Sequence, residues 1–204
     1  AYSYVATANA IDLCGAQPVF TDIQSDTFNL DPERLAETLV RVMSNTETAS
    51  RVKAIVPVHT FGQVADMPAI VELAGRYNLP VIEDAACALG AAFAGRQAGS
   101  WGVMNCFSFH PRKAITTGEG GIITTDDLKL AEQLRALRNH GQDSTSPAPD
   151  FILPGFNYRL TEFQAALGMT QLTKLERIIA ARRRLAGLYD KLLAETSLQA
   201  PVVA

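Results

Sequence analysis

Residues 79–85 read LPVIEDA and residues 52–59 read VKAIVPVH, and these two stretches decide the fold. Both are short, nearly unbroken apolar runs rather than alternating ones, the pattern of strands covered on both faces of a mainly parallel sheet. Between them, DMPAIVELAGRY at 66–77 reads as a helix. Strand, helix and strand in that order predict an α/β architecture.

Working outward, the same alternation continues. Upstream, QPVFTDI at 17–23 predicts a strand, Asp31-Pro32-Glu33 an N-cap followed by proline at the first helical position, and ERLAETLVRVM at 33–43 the helix it starts. Downstream, MNCFSF at 104–109 and GIITT at 121–125 predict strands, and DDLKLAEQLRALRNHG at 126–141 a helix with a glycine stop at Gly141. Residues 142–154, with three prolines, form a loop long enough to be functional or mobile. Thr161 and Gln164 have the spacing of a capping box, and apolar residues from Phe163 to Leu192 follow at helical spacing. They predict one long helix, broken near Gly187.

At 204 residues, 48% hydrophobic and 19% charged, the composition is that of an ordinary globular protein with room for a sizeable core. A net charge of −3 argues against nucleic acid as the main partner, because phosphate-backbone binding requires clustered Lys and Arg. The one basic run, Arg182-Arg183-Arg184, reads as a solvated helix face. Cys14, Cys87 and Cys106 have neither metal-like nor CxxC spacing, so no zinc site or disulfide framework is indicated and a reducing cytoplasm fits. There is no apolar stretch of roughly 18 residues.

Ligands of open parallel sheets bind beyond the carboxyl ends of the strands, where LPVIED delivers Glu83 and Asp84. Side chains alternate along a strand, so only one of these acids faces a given side. The turn after CFSF brings Lys113 to the same end, inside SFHPRKAITTGEGG at 108–121. A nucleophilic lysine needs a partly neutral amine, which burial or a neighbouring cation such as Arg112 favours. Gly118, Gly120 and Gly121 permit close backbone approach, and equally a plain tight turn. Spacing alone leaves Lys113 either a catalytic amine or a surface charge. His59, Gln63 and His110 stand near the predicted strand ends, as pocket residues or as packing, and His140 reads as a helix-end residue.

Five blocks, AYSYVATANAI…GAQPVFTDI, VPVHTFGQVADM, VIEDAACALGA, SFHPRKAITTGEGG and GFNYRLTEFQAALGMTQL, occur in this order from Tyr2 to about Leu193. Together they resemble the DegT/StrS family of pyridoxal-phosphate-dependent nucleotide-sugar aminotransferases. The resemblance implies the fold-type-I aminotransferase large domain, a mainly parallel sheet flanked by helices, with pyridoxal 5'-phosphate at a homodimer interface. Lys113 matches the lysine that forms the internal aldimine, and Asp84 the acid that binds the pyridine nitrogen. Ser108 matches a hydroxyl on the cofactor phosphate, Tyr4 an aromatic stacked on the ring, and Asn157 an asparagine reaching the neighbouring subunit's phosphate. Cys87 stands where many members place glutamine or histidine against the phenolic oxygen, and a thiol is a weaker partner there.

The implied reaction carries an amine from a donor, by resemblance glutamate, to a nucleotide-linked keto-sugar in amino-sugar biosynthesis, for surface polysaccharide, lipopolysaccharide or glycosylated natural products. A sugar dehydratase within the same cofactor class is an alternative, against which Lys113 weighs because such relatives typically carry histidine there. A truncated binding or regulatory protein on the same scaffold is another. The family's phosphate loop precedes the segment matching Tyr2, and its small domain follows the last block. The expectation is therefore a fragment: residues 1–160 a partial cofactor-binding large domain, and 161–204 a long helix leading toward a small domain.

Overall fold

The computed structural model of the chain describes residues 1–203, so Ala204, the last residue of the expected 161–204 segment, lies outside the described residues. In chain order the elements are α1 (Val5–Leu13), α2 (Pro32–Met43), a short α3 (Thr46–Ala49), a 3-10 turn (Thr60–Gly62), α4 (Met67–Arg76), β1 (Ile82–Asp84), β2 (Ala92–Phe93), β3 (Arg96–Gln97), β4 (Met104–Ser108), β5 (Gly121–Thr124), α5 (Leu128–Leu137), α6 (Glu162–Leu172) and α7 (Leu175–Leu193).

Local sequence explains most of the starts. Asp31 accepts from the Glu33 N–H at 2.8 Å with Pro32 in the first turn, Asp66 caps α4 through Ala69, and Asp127 caps α5 through Lys129 and Leu130. The capping box is formed on both sides: Thr161 Oγ1 accepts from the Gln164 N–H, and Gln164 Oε1 from the Thr161 N–H. Leu35 and Leu39 of α2 and Met67, Ile70 and Ala74 of α4 are buried at helical spacing. They meet Ile55, Val81 and Ala85 in one core under the first strands.

The sheet is mixed. β1 and β4 run parallel with Asp84 opposite Cys106, and β4 pairs antiparallel with β5. On the other side of β1, residues 55–59 also run parallel, bridged at Ile55–Val81 and Val58–Asp84. The Ile55 N–H donates to Pro80, Ile82 to Ile55, Asp84 to Pro57 and His59 to Asp84. The step skipped in this ladder falls at Pro57, which has no N–H to donate. VKAIVPVH is thus a strand interrupted by its own proline, inside an otherwise parallel arrangement.

Three expectations differ from the structure. QPVFTDI does not form a strand: only Ile23 is bridged, to Leu30, and Val19 and Phe20 are 56% and 65% exposed. An extended segment becomes a strand only where a neighbour pairs with it, and among the described residues Gln17–Thr21 has none, while Asp22 O accepts only from the Asp31 N–H. The long helix breaks at Thr173–Lys174 and not near Gly187, which sits inside α7 on an open side. A glycine there costs about 1 kcal/mol of propensity, which a long helix tolerates. The helix expected to stop at Gly141 ends earlier, at Leu137 with Arg138 as its C-cap; Gly141, at φ +82°, lies in the turn beyond it, where a Cβ would lie 1.5 Å from the Leu153 carbonyl oxygen. That close approach belongs to the 142–154 loop, which is tied back by Ile152 N–H to Gly141 O and Asp143 N–H to Asp150 O.

Candidate active site

The parallel order brings His59, Asp84 and Ser108 to the carboxyl ends of three adjacent strands, the edge where such sheets bind ligands. The two acids of β1 part ways there. Glu83 is fully buried and turns into the core, where its carboxylate accepts from the Gly99, Trp101 and Gly102 N–H groups at 2.8, 2.5 and 2.7 Å. It also meets His59 Nε2 at 2.8 Å. Because His59 Nδ1 accepts from the Ala65 N–H, Nε2 carries the proton and donates to Glu83. Burial pushes the Glu83 carboxyl up, but the His59 and backbone hydrogen bonds together outweigh it and hold the group below its ordinary range. Glu83 and His59 therefore pin the loop 99–102 to the strand end and do not line a pocket.

Asp84 faces the other way and is half-buried. Its Oδ1 accepts from the Ala86 N–H at 3.1 Å and its Oδ2 from the Thr7 hydroxyl at 2.5 Å. On the neighbouring strand, burial and then the charge of Asp84 push the Cys106 thiol up. Cys14 and Cys87 are exposed. Brief iodoacetamide treatment near neutral pH is expected to alkylate Cys14 and Cys87 and spare Cys106, read by peptide mass mapping; Cys106 labelled first would contradict this placement.

Lys113 sits in a built loop, not a loose turn. Phe109 N–H donates to Gly120 O, Thr117 N–H to Phe109 O, Lys113 N–H to His110 O, and the Thr116 hydroxyl to Phe109 O. Half-buried, the side chain extends to Cys87, with Nζ donating to Sγ at 3.2 Å. Cys87 is three residues past Asp84, so at most about 11 Å of chain separates the carboxylate's residue from the thiol the amine reaches. The Cys87 carbonyl is in turn backed by Gly62, whose φ is +87° and whose Cβ would stand 2.7 Å from that oxygen. Arg182 of α7 donates to the Lys113 carbonyl at 3.3 Å, so one member of the basic run is a tether as well as a surface charge.

The other expected residues divide. Ser108 Oγ, at the end of β4, accepts from the His110 N–H at 3.3 Å and keeps its own proton to donate. His110 Nδ1 accepts from the Arg112 N–H and its Nε2 lies 3.8 Å from Glu119, which makes it a turn-former beside Lys113. Tyr4 is the N-cap of α1, one turn before Thr7 and 80% exposed. Asn157 is bridged to Asn139 and its Oδ1 accepts from Arg159, away from these contacts. Gln63 donates to the Val202 carbonyl, and the left-handed backbone of His140 (φ +59°) turns the chain after α5. Sequence reasoning missed Thr7, whose partner is 77 residues away. It also missed the buried Asn29, which joins Thr60 and Gln63 in the turn before α4. No local signal marks either.

An amine, a carboxylate and a hydroxyl at one sheet edge are the donor set that a phosphorylated pyridine aldehyde requires. The family model for the DegT/DnrJ/EryC1/StrS aminotransferase family matches residues 1–203. The chain belongs to this family. It is 47% identical over 194 residues to GDP-perosamine synthase of Caulobacter vibrioides, covering 94% of this chain and 49% of that protein. The structure of DesV from S. venezuelae in complex with a ketimine intermediate superposes with a TM-score of 0.89 at 37% identity, covering all of this chain and 52% of that one. Spr1654 from Streptococcus pneumoniae, solved in PLP and PMP forms, gives TM-scores of 0.82 and 0.83 at 28% identity over 95% of this chain and 52% of that one. The α/β fold is thus that of solved aminotransferases, and the chain spans about half the length of these relatives.

Proposed function

We propose that this chain carries the lysine-bearing part of a pyridoxal-phosphate-dependent aminotransferase that moves an amine from glutamate to a nucleotide-linked keto-sugar. The observation that supports it most is the Lys113 amine drawn to Cys87 on the segment that carries Asp84. Pyridoxal phosphate, when bound, supplies a ring that takes up electrons as the substrate Cα–H bond breaks. Asp84 holds a proton at the pyridine nitrogen, and Lys113 moves a proton to and from the substrate Cα. Ser108 donates to the phosphate, Tyr4 covers the ring, and Cys87 faces the phenolic oxygen. Asn157 serves the phosphate of a second copy, so the working unit is a homodimer. Residues 1–160 form the cofactor-binding part, and 161–204 lead toward the rest of the protein. No helix of the described residues is long and apolar enough to cross a membrane, and the proposed place of action is the cytoplasm.

The test is transfer from ¹⁵N-glutamate, with nucleotide-linked keto-sugars as acceptors and the product read by mass spectrometry. The reading expects a sugar that gains one ¹⁵N and an equal amount of 2-oxoglutarate. A sugar that loses water and takes up no nitrogen would place the protein among the dehydratases instead.

A further inference from the structure

We infer that Thr7 is a positioning residue for Asp84, holding its carboxylate aimed at the cofactor's ring nitrogen. The role rests on Asp84 meeting that nitrogen, as proposed above. The two oxygens of Asp84 are held very differently. Oδ1 takes the N–H of Ala86, two residues on, a bond that an aspartate in this turn makes from its own neighbourhood. Oδ2 is held across the fold by the Thr7 hydroxyl at 2.5 Å, within the range of a hydroxyl donating to an anion.

Among the described residues, nothing else claims that hydroxyl. Thr7 is the third residue of α1, whose N-cap, Tyr4, makes no side-chain cap bond, so the Thr7 oxygen is spent on Asp84 and not on its own helix. The branched Cβ restricts χ1, which limits the directions the hydroxyl can take. The first turn of a helix also favours a nearby anion. A hydrogen bond from a restricted hydroxyl fixes the direction of a carboxylate oxygen, and a carboxylate so aimed can accept from a protonated ring nitrogen. The same first turn carries Tyr4, so α1 links the residue placed over the ring to the residue placed at its nitrogen.

The experiment measures dissociation constants, by absorbance titration of the full-length protein, for pyridoxal phosphate and for its 1-deaza analogue, in which a C–H replaces the ring nitrogen. Thr7→Val keeps the shape and removes the hydroxyl, Thr7→Ala removes it without a branched side chain to accommodate, and Thr7→Ser restores it. Expected is a weakening of roughly ten-fold or more for pyridoxal phosphate in the valine and alanine variants, recovery in the serine variant, and no such difference for the deaza analogue. Binding equal to wild type in the valine and alanine variants, or equal weakening for both ligands, overturns the role of Thr7 alone. Failure of the wild-type protein to bind pyridoxal phosphate overturns the cofactor reading and this inference with it.

Discussion

Lys113→Ala is expected to lower amine transfer by at least about 10²–10⁴-fold, the range for losing a positioned acid–base group, while the protein remains folded. Among the described residues, the side chain's one hydrogen bond is to Cys87. The loop around it is held by backbone groups that alanine also has: the N–H to His110, the carbonyl that accepts from Arg182, and the Phe109–Gly120 and Phe109–Thr117 bonds. Stability measured by urea unfolding should therefore move by no more than about 0.5 kcal/mol. Lys113→Arg should not recover the activity, because a guanidinium keeps its proton. Transfer at the wild-type rate in either variant would remove Lys113 from the chemistry.

Glu83→Ala is expected to cost about 3–5 kcal/mol of stability, the effect of breaking one side of a buried charged network. The loss would leave His59 Nε2–H and the backbone N–H groups of Gly99 and Trp101 without their acceptor, while the Gly102 N–H keeps its bond to the Asn105 side chain at 3.2 Å. Glu83→Gln keeps one acceptor oxygen and should lose less. The effect also has a pH signature. Because the folded Glu83 carboxyl is held below its ordinary value of 4.5, its contribution is complete above that value and disappears as the pH falls through the lowered folded value. Urea midpoints measured downward from neutral pH should fall on the acid side in the wild type, and part of that fall should be missing in Glu83→Gln. An alanine variant as stable as wild type would mean that loop 99–102 does not depend on this carboxylate.

Features encoded locally were legible in the sequence. The caps at Asp31 and Thr161 follow from residue type and spacing and appear where expected, and Asp66 and Asp127 cap α4 and α5 by the same chemistry. Pairing was not local. QPVFTDI has strand composition and no neighbour to make it one, while VKAIVPVH has a neighbour and a proline that interrupts the ladder. Alternation required Glu83 and Asp84 to face opposite sides, and only the surrounding chain could decide which faced the core. Spacing alone left Lys113 open; the family resemblance pointed to catalysis, and the structure adds its reach to Cys87. Thr7 stayed hidden because its meaning lies in a hydrogen bond to a residue 77 positions away.

The most direct test of Lys113 as the cofactor's amine is borohydride reduction of the full-length protein loaded with pyridoxal phosphate, followed by peptide mass mapping. Reduction fixes the cofactor's carbonyl carbon to whichever amine holds it. The account predicts the added mass on Lys113 within the peptide spanning residues 108–121. Mass found on Lys53, Lys129, Lys174 or Lys191 instead, or on no lysine, would contradict it.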